Sequence, residues 1–324
     1  MRKSIVSLAV CALMISSCTC NNESNTAKHP TGIEHVIVIG IDGLNSAGLE
    51  NSITPNMDRM ISGGAYCDAV RNVFPISSSP NWATLLSGVG TEAHGVISNG
   101  WYADSASYEP LCKNEQNRFP TIFSVIRAQQ PEAELGAIYD WNDFYRLFER
   151  ELVNKDFSIS PERETTKAIV EYIKEKKPTL LFTQLDNVDH CGHTYGWMSQ
   201  GYYDGITAVD SLVGDILTSI EDAGIAEKTL VILVADHGGK GTTHGSSYDS
   251  EELAVPIILY GKGVKKGYKA ATAIYTMDCA PTITFALGLE DFSGWRGRAI
   301  SEAFEGFSSA KDIVNVRYLD KSEF

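Results

Sequence analysis

Three short segments of this 324-residue chain bring metal-ligating or nucleophilic side chains close together in sequence. In Asp189-His190-Cys191-Gly192-His193 the acid and the second imidazole are four residues apart, so one helical turn aims both at one ion. Asp236 and His237 are adjacent, Gly238-Gly239 follows, and His244-Gly245 comes soon after. A mixed carboxylate and imidazole set suits zinc ahead of manganese or iron. The third segment is Ser77-Ser78-Ser79-Pro80-Asn81. Serine caps helices and proline favours their first turn, so a hydroxyl here would lie beside free backbone N–H groups, a natural phosphate site. Taken alone, the segment reads better as an ordinary capped helix.

The elements that must hold these residues are legible as short apolar runs, four of which end at an aspartate. Residues 35–41 end at Asp42, 135–139 at Asp140, 179–185 at Asp186 with Asp189 just beyond, and 229–235 at Asp236; a further run, 254–260, ends at Gly261. Runs rich in Val, Ile and Leu fit strands buried on both faces. Helical stretches are predicted at 54–62, 81–87, 121–129, 162–176 and 202–223. Alternating strands and helices imply an α/β fold with a largely parallel central sheet and helices on both faces. Such folds bind ligands outside the carboxyl ends of their strands, where the aspartates stand. One carboxylate at a strand end needs no more than a turn to explain it; several at successive ends point to a shared site.

Charge and cysteine usage narrow the reading. A formal net charge of −14 repels polyanions, which argues against a nucleic-acid polymer as partner but leaves a small phosphate ester open, because bound metal ions invert the local field. Arg2 and Lys3 precede an apolar stretch over residues 5–15 that is too short to span a bilayer, as in an export signal. Ile15-Ser16-Ser17-Cys18 resembles a bacterial lipobox, and a polar stretch at 21–31 follows it. The expected organisation is therefore a signal peptide at 1–17, a tether at 18–31 carrying a lipid on Cys18, and one catalytic domain at 32–324. This places the protein outside the cytoplasm, anchored to a membrane on the periplasmic or cell-surface side. Export permits disulfides among Cys67, Cys112, Cys191 and Cys279, but no CxxC pair points to a thiolate metal site. The oligomeric state is left open.

Taken in order, VIGIDG with TPNMDRM, SSSPNWATLLSGVGTEAHGV, VDHCGHTYG, VADHGG and THG resemble the type I phosphodiesterase/nucleotide pyrophosphatase family of the alkaline phosphatase superfamily, over residues 35 to about 300. The resemblance implies an alkaline phosphatase-like fold and two divalent metal ions, zinc by donor type. Asp189, His193 and His244 would hold one ion; Asp42, Asp236 and His237 would hold the other with the Ser78 oxygen. It makes Ser78, two residues before Pro80, the nucleophile of a phosphoseryl mechanism. It also makes Asn81, with the backbone near Ser79, the donor to the phosphoryl oxygens. The expected substrate is a small phosphodiester or pyrophosphate.

Three alternatives carry less weight. Monoester hydrolysis would need a further cation, which no motif supplies. A sulfatase would need an arginine where Trp82 stands. A non-catalytic binding lipoprotein would have lost ligands that are all present here. Among neighbouring residues, Asp186 is expected to close its strand or orient His193, and His94 to be structural. Asp140 and the aromatics Trp141, Phe144 and Tyr145 form either a pocket wall or a core cluster.

Overall fold

The computed structural model describes residues 28–245 and 249–308; the expected signal segment, Cys18 and the tether as far as residue 27 lie outside them. The apolar runs form the middle of one sheet. Its strands are β1 (His35–Ile41), β2 (Ala65–Arg71), β3 (Leu135–Tyr139), β4 (Lys155–Ser158), β5 (Leu180–Leu185), β6 (Thr229–Val234), β7 (Ala254–Gly261) and β8 (Tyr268–Lys269). They lie in the order β4-β3-β5-β1-β6-β7-β2-β8. From β4 to β6 every pairing is parallel. β7 runs antiparallel to both its neighbours, β6 and β2. Every residue of β5 and β6 is buried, as both-face coverage requires of central parallel strands.

Among the described residues the helices are α1 (Ser46–Glu50), α2 (Pro55–Gly63), α3 (Ser78–Ser87), α4 (Thr91–His94), α5 (Ile122–Gln129), α6 (Glu162–Lys176), α7 (Asn187–Tyr195), α8 (Gln200–Asp222), α9 (Ser250–Leu253) and α10 (Cys279–Leu287). All but α9, which lies against β7, pack as two groups. α1, α2, α6 and α7 surround the long α8, while α4, α5 and α10 surround α3. None is long and apolar enough to cross a membrane.

Register brings the strand ends together. Ile41 pairs with Leu185, and Gly40 with Val234. One or two residues further on, Asp42, Asp186 and Asp236 leave the sheet side by side, with β1 between β5 and β6. α3 begins one turn earlier than the predicted 81–87, at Ser78, and all ten of its residues are buried. The four described cysteines outside residues 1–27 are all free.

Candidate active site

Asp42 follows the last residue of β1, and the chain must turn at once. Gly43 makes that turn at φ +70°, and a Cβ there would meet the Asp189 Cα at 2.7 Å, so only glycine lets the β1 exit lie against α7. Trp197 Nε1 and the Tyr202 hydroxyl both donate to the Gly43 carbonyl, at 2.9 and 2.8 Å. The Gly43 N–H donates to Asp236 Oδ1 at 3.2 Å. Asp236 is thus tied to the backbone that follows Asp42, with Asp189 packed against the same glycine.

Each histidine of the set is oriented in the same way. Nδ1 of His193 bonds the Thr242 carbonyl at 2.9 Å, Nδ1 of His237 bonds the Gly238 carbonyl at 3.0 Å, and Nδ1 of His244 bonds the Ile76 carbonyl at 3.0 Å. A carbonyl only accepts, so each Nδ1 carries the proton and each Nε2 offers a lone pair. Those Nε2 atoms face the carboxylates. His193 Nε2 is 3.4 Å from Asp189 Oδ2, and His244 Nε2 is 3.9 Å from Asp189 Oδ1. His237 Nε2 is 3.4 Å from Asp236 Oδ2 and 3.5 Å from Asp42 Oδ1. The Ser78 hydroxyl is 3.3 Å from the same His237 Nε2.

The donors fit divalent cations. Asp42 Oδ1, Asp189 Oδ1 and Asp236 Oδ2 are buried without any hydrogen-bond partner among the described residues, a costly state for carboxylate oxygens unless a cation meets them. Burial raises the Asp42 and Asp236 carboxyls well above their usual range, and the neighbouring carboxylates push the same way. Burial, reinforced by His244, lowers His237 well below the usual imidazole value and keeps it neutral. Ligand atoms of Asp189, His193 and His244 lie within 4.8 Å of one another, as do those of Asp42, Asp189 and His237. All six expected ligands therefore converge with Ser78, and Asp189 belongs to both groups.

Two expectations need correction. Asn81 does not reach the cleft: it is fully buried, its Oδ1 accepts from Val73 N at 2.8 Å, and its Nδ2 donates to the Pro75 and Ser77 carbonyls. With its hydrogen-bonding groups engaged, it braces the loop in front of α3. The Ser79 N–H is also taken, donating to Asn99 Oδ1 at 2.8 Å. Ser77 Oγ donates to the same oxygen at 2.8 Å. Asn99, exposed and touching both neighbours of Ser78, was not singled out by the sequence, because nothing local links residue 99 to residue 78.

Asp186 stands at the end of β5, one of the two roles expected of it, and its side chain pairs with His190 at 2.8 Å rather than orienting His193. That contact is the main reason His190 is raised to about 9. The aromatic segment after β3 divides. Phe144 joins Trp82, Tyr139 and Phe182 in the core. Trp141 lines a cavity of about 560 Å³ with Asp140, Glu162, Asp186 and His190. His94 is buried and neutral, its pKa lowered to about 3 by desolvation. Its Nδ1 accepts from Val96 N at 3.0 Å, so Nε2 carries the proton and donates to Thr84 Oγ1, which bonds the Pro80 carbonyl.

Residues 36–255 match the family model described as type I phosphodiesterase / nucleotide pyrophosphatase. This chain belongs to that family. Relatives include the human (Homo sapiens) bis(5'-adenosyl)-triphosphatase ENPP4, 24% identical over 216 residues, which cover 63% of this chain and 47% of that protein. Venom phosphodiesterase CdcPDE of Crotalus durissus collilineatus is 24% identical over 231 residues, covering 66% of this chain and 28% of that protein. The chain thus aligns with about half or less of the length of these relatives. In fold it is similar to human ectonucleotide pyrophosphatase / phosphodiesterase 5, with TM-score 0.68 and 15% identity over 84% of this chain and 100% of that one. It is also similar to BT1596, a 2-O GAG sulfatase, with TM-score 0.66 and 17% identity over 87% of this chain and 76% of that one. The α/β sheet expected from the strand pattern, and the alkaline phosphatase-like fold that the resemblance implies, are the fold observed.

Proposed function

We propose that the chain hydrolyses phosphodiester or pyrophosphate bonds of small phosphate esters through a phosphoseryl intermediate on Ser78. One observation carries this reading: three imidazole Nε2 atoms, turned by Nδ1 contacts to carbonyls, and three partnerless carboxylate oxygens converge beside a serine hydroxyl at a helix start, which lies 3.3 Å from His237 Nε2. Asp189, His193 and His244 would hold one divalent ion, and Asp42, Asp236, His237 and Ser78 the other, with zinc favoured by the nitrogen and oxygen donors. Such ions, when bound, lower the pKa of a coordinated hydroxyl and neutralise phosphoryl charge.

The chain's own residues set the geometry. Ser78 is the first residue of a helix whose ten residues are all buried, and packing on every side holds it in place. Its Oγ bonds to phosphorus as the bond to the leaving oxygen breaks in line, and water then cleaves the Oγ–P bond. Asn99 holds its Oδ1 against Ser77 and Ser79, leaving its amide N–H groups to donate to an equatorial phosphoryl oxygen. Arg146, bonded to the Asn99 carbonyl, is buried and paired with Asp143, so it is not offered to the extra charge of a monoester. Trp82 fills the place where a sulfatase would need an arginine.

A crotalid venom phosphodiesterase and the diadenosine triphosphatase ENPP4 among the relatives agree with diester or pyrophosphate substrates. The test is one zinc-loaded preparation assayed on bis-p-nitrophenyl phosphate, p-nitrophenyl phosphate, p-nitrophenyl TMP and p-nitrophenyl sulfate. The diesters should give the highest kcat/KM, and EDTA should abolish turnover until zinc is restored. A preference for the monoester or the sulfate, or full activity in verified metal-free protein, sinks the reading. We propose further that the enzyme acts outside the cytoplasm, tethered through a lipid on Cys18. Cys18→Ala should move it to the soluble fraction or block its maturation; an unchanged membrane fraction with no lipid on the N-terminal peptide refutes the tether.

A further inference from the structure

Asn99 lies in a loop, and one buried arginine grips that loop at two points. Arg146 sits in the short 3₁₀ segment Asn142–Leu147 that follows β3. Its Nη1 donates to the Asn99 carbonyl at 3.0 Å, and its guanidinium carbon lies 4.0 Å from the centre of the Tyr102 ring. Asp143 pairs with Nη2, and Arg118 Nε donates to the Arg146 carbonyl at 2.9 Å, so the arginine is itself fixed. The loop's other anchor is the Asn99 side chain, on Ser77 and Ser79. A continuous path of bonds thus runs from the end of β3 to the two residues that flank Ser78.

Stability does not account for this arginine. It is only 8% exposed, and its Nε has no hydrogen-bond partner among the described residues. A buried charge with an unsatisfied N–H, paired to a half-buried carboxylate, is commonly no better for stability than a well-packed apolar side chain. What an apolar residue would lack is a planar group that donates in its plane and stacks on its face at once.

We propose that Arg146 is a positioning residue for the hydrolysis, acting through Asn99, an inference that rests on the reading of Asn99 given above. It fixes the backbone carbonyl of Asn99 and stacks on Tyr102, and so sets where the Asn99 amide meets the phosphoryl group. Lysine keeps the charge but cannot donate and stack together, so it should not restore function.

The experiment is a double-mutant cycle on the zinc-loaded enzyme with bis-p-nitrophenyl phosphate. Arg146→Met and Arg146→Lys should each lower kcat about 10- to 100-fold, the scale of a misplacement near 1 Å, with KM and zinc affinity little changed. In an Asn99→Ala background the same substitutions should change kcat less than about 2-fold, because the group they position is gone. If the Met variant does not fold, the Lys variant alone decides. Wild-type-like kcat in a folded Arg146 variant overturns the inference; so does a loss that multiplies fully with that of Asn99→Ala, or an Asn99→Ala enzyme as active as wild type. A wild-type protein inert towards all four esters removes the functional reading itself, and this inference with it; the other failures leave that reading standing.

Discussion

The indole Nε1 of Trp82 donates to Asp42 Oδ2 at 2.9 Å, from a ring with no exposed surface. Gln184 Nε2 donates to the same oxygen at 3.1 Å, so Oδ2 is held twice and Oδ1 faces the cleft. Trp82→Phe keeps most of the ring and removes the donor. Zinc affinity, measured by calorimetric titration against a competing chelator, should fall about 10-fold, as when a partner that orients a metal ligand is lost. Unchanged affinity would show that Gln184 alone orients the carboxylate.

Ser78→Ala should lower kcat on the order of 10³-fold or more, while Ser77→Ala and Ser79→Ala retain most activity. Acid-quenched turnover followed by mass spectrometry should find phosphate on Ser78. Phosphate on Ser79, with Ser78→Ala still active, would move the nucleophile by one residue.

The two asparagines should separate in their effects. Asn81→Ala strips three hydrogen bonds of a buried side chain in front of α3 and should cost about 2–3 kcal/mol in urea unfolding. Asn99→Ala, at an exposed position, should leave the unfolding midpoint nearly unchanged and lower kcat about 10²-fold. Equal losses of stability in both would contradict the assignment.

His94 makes stability depend on pH. Its folded pKa, about 3, lies below the unfolded value of about 6.5, so the unfolded chain binds the extra proton as pH falls below 6.5. Stability is therefore fully present above that value and is lost towards pH 3. At pH 5 the loss should be about 2 kcal/mol. His94→Gln should flatten the dependence between pH 7.5 and 5 by that amount, in urea titrations of metal-free protein. Equal slopes in the two proteins would contradict a buried neutral imidazole.

What could be read in the sequence divides along physical lines. β1, β3, β5, β6 and β7 bury both faces and show as apolar-rich runs, interrupted in β5 by Thr183 and Gln184. β2 alternates only partly, carries Asp68 and Arg71, and changes register between Cys67 and Val70, so neither period nor composition marks it. β4 is the edge strand Lys155–Ser158, with no fully buried residue. α10 has Pro281 and β-branched Thr282, Ile283 and Thr284, which locally favour other states; burial of seven of its residues overrides them. Asp42, Asp189, His193, Asp236 and His237 were legible because each is close to a strand end or one helical turn from another ligand; His244, in a loop, was legible only through the THG motif. Asn99 was not, because its tie to Ser77 and Ser79 is made through space by the fold.

Asp189 would ligate one ion and lies within 4.8 Å of Asp42 and His237, ligands of the other, and this couples the two thermodynamically. Asp42, Asp189 and Asp236 repel one another in a buried site, so whichever ion arrives first relieves the repulsion that would have favoured the second, and its own charge then repels that second ion. Linkage makes the penalty mutual: each ion must lower the affinity of the other by the same factor. Loading should then be stepwise, with half-filled protein abundant between the two steps. The enzyme would respond to zinc supply over a wide range rather than at a threshold.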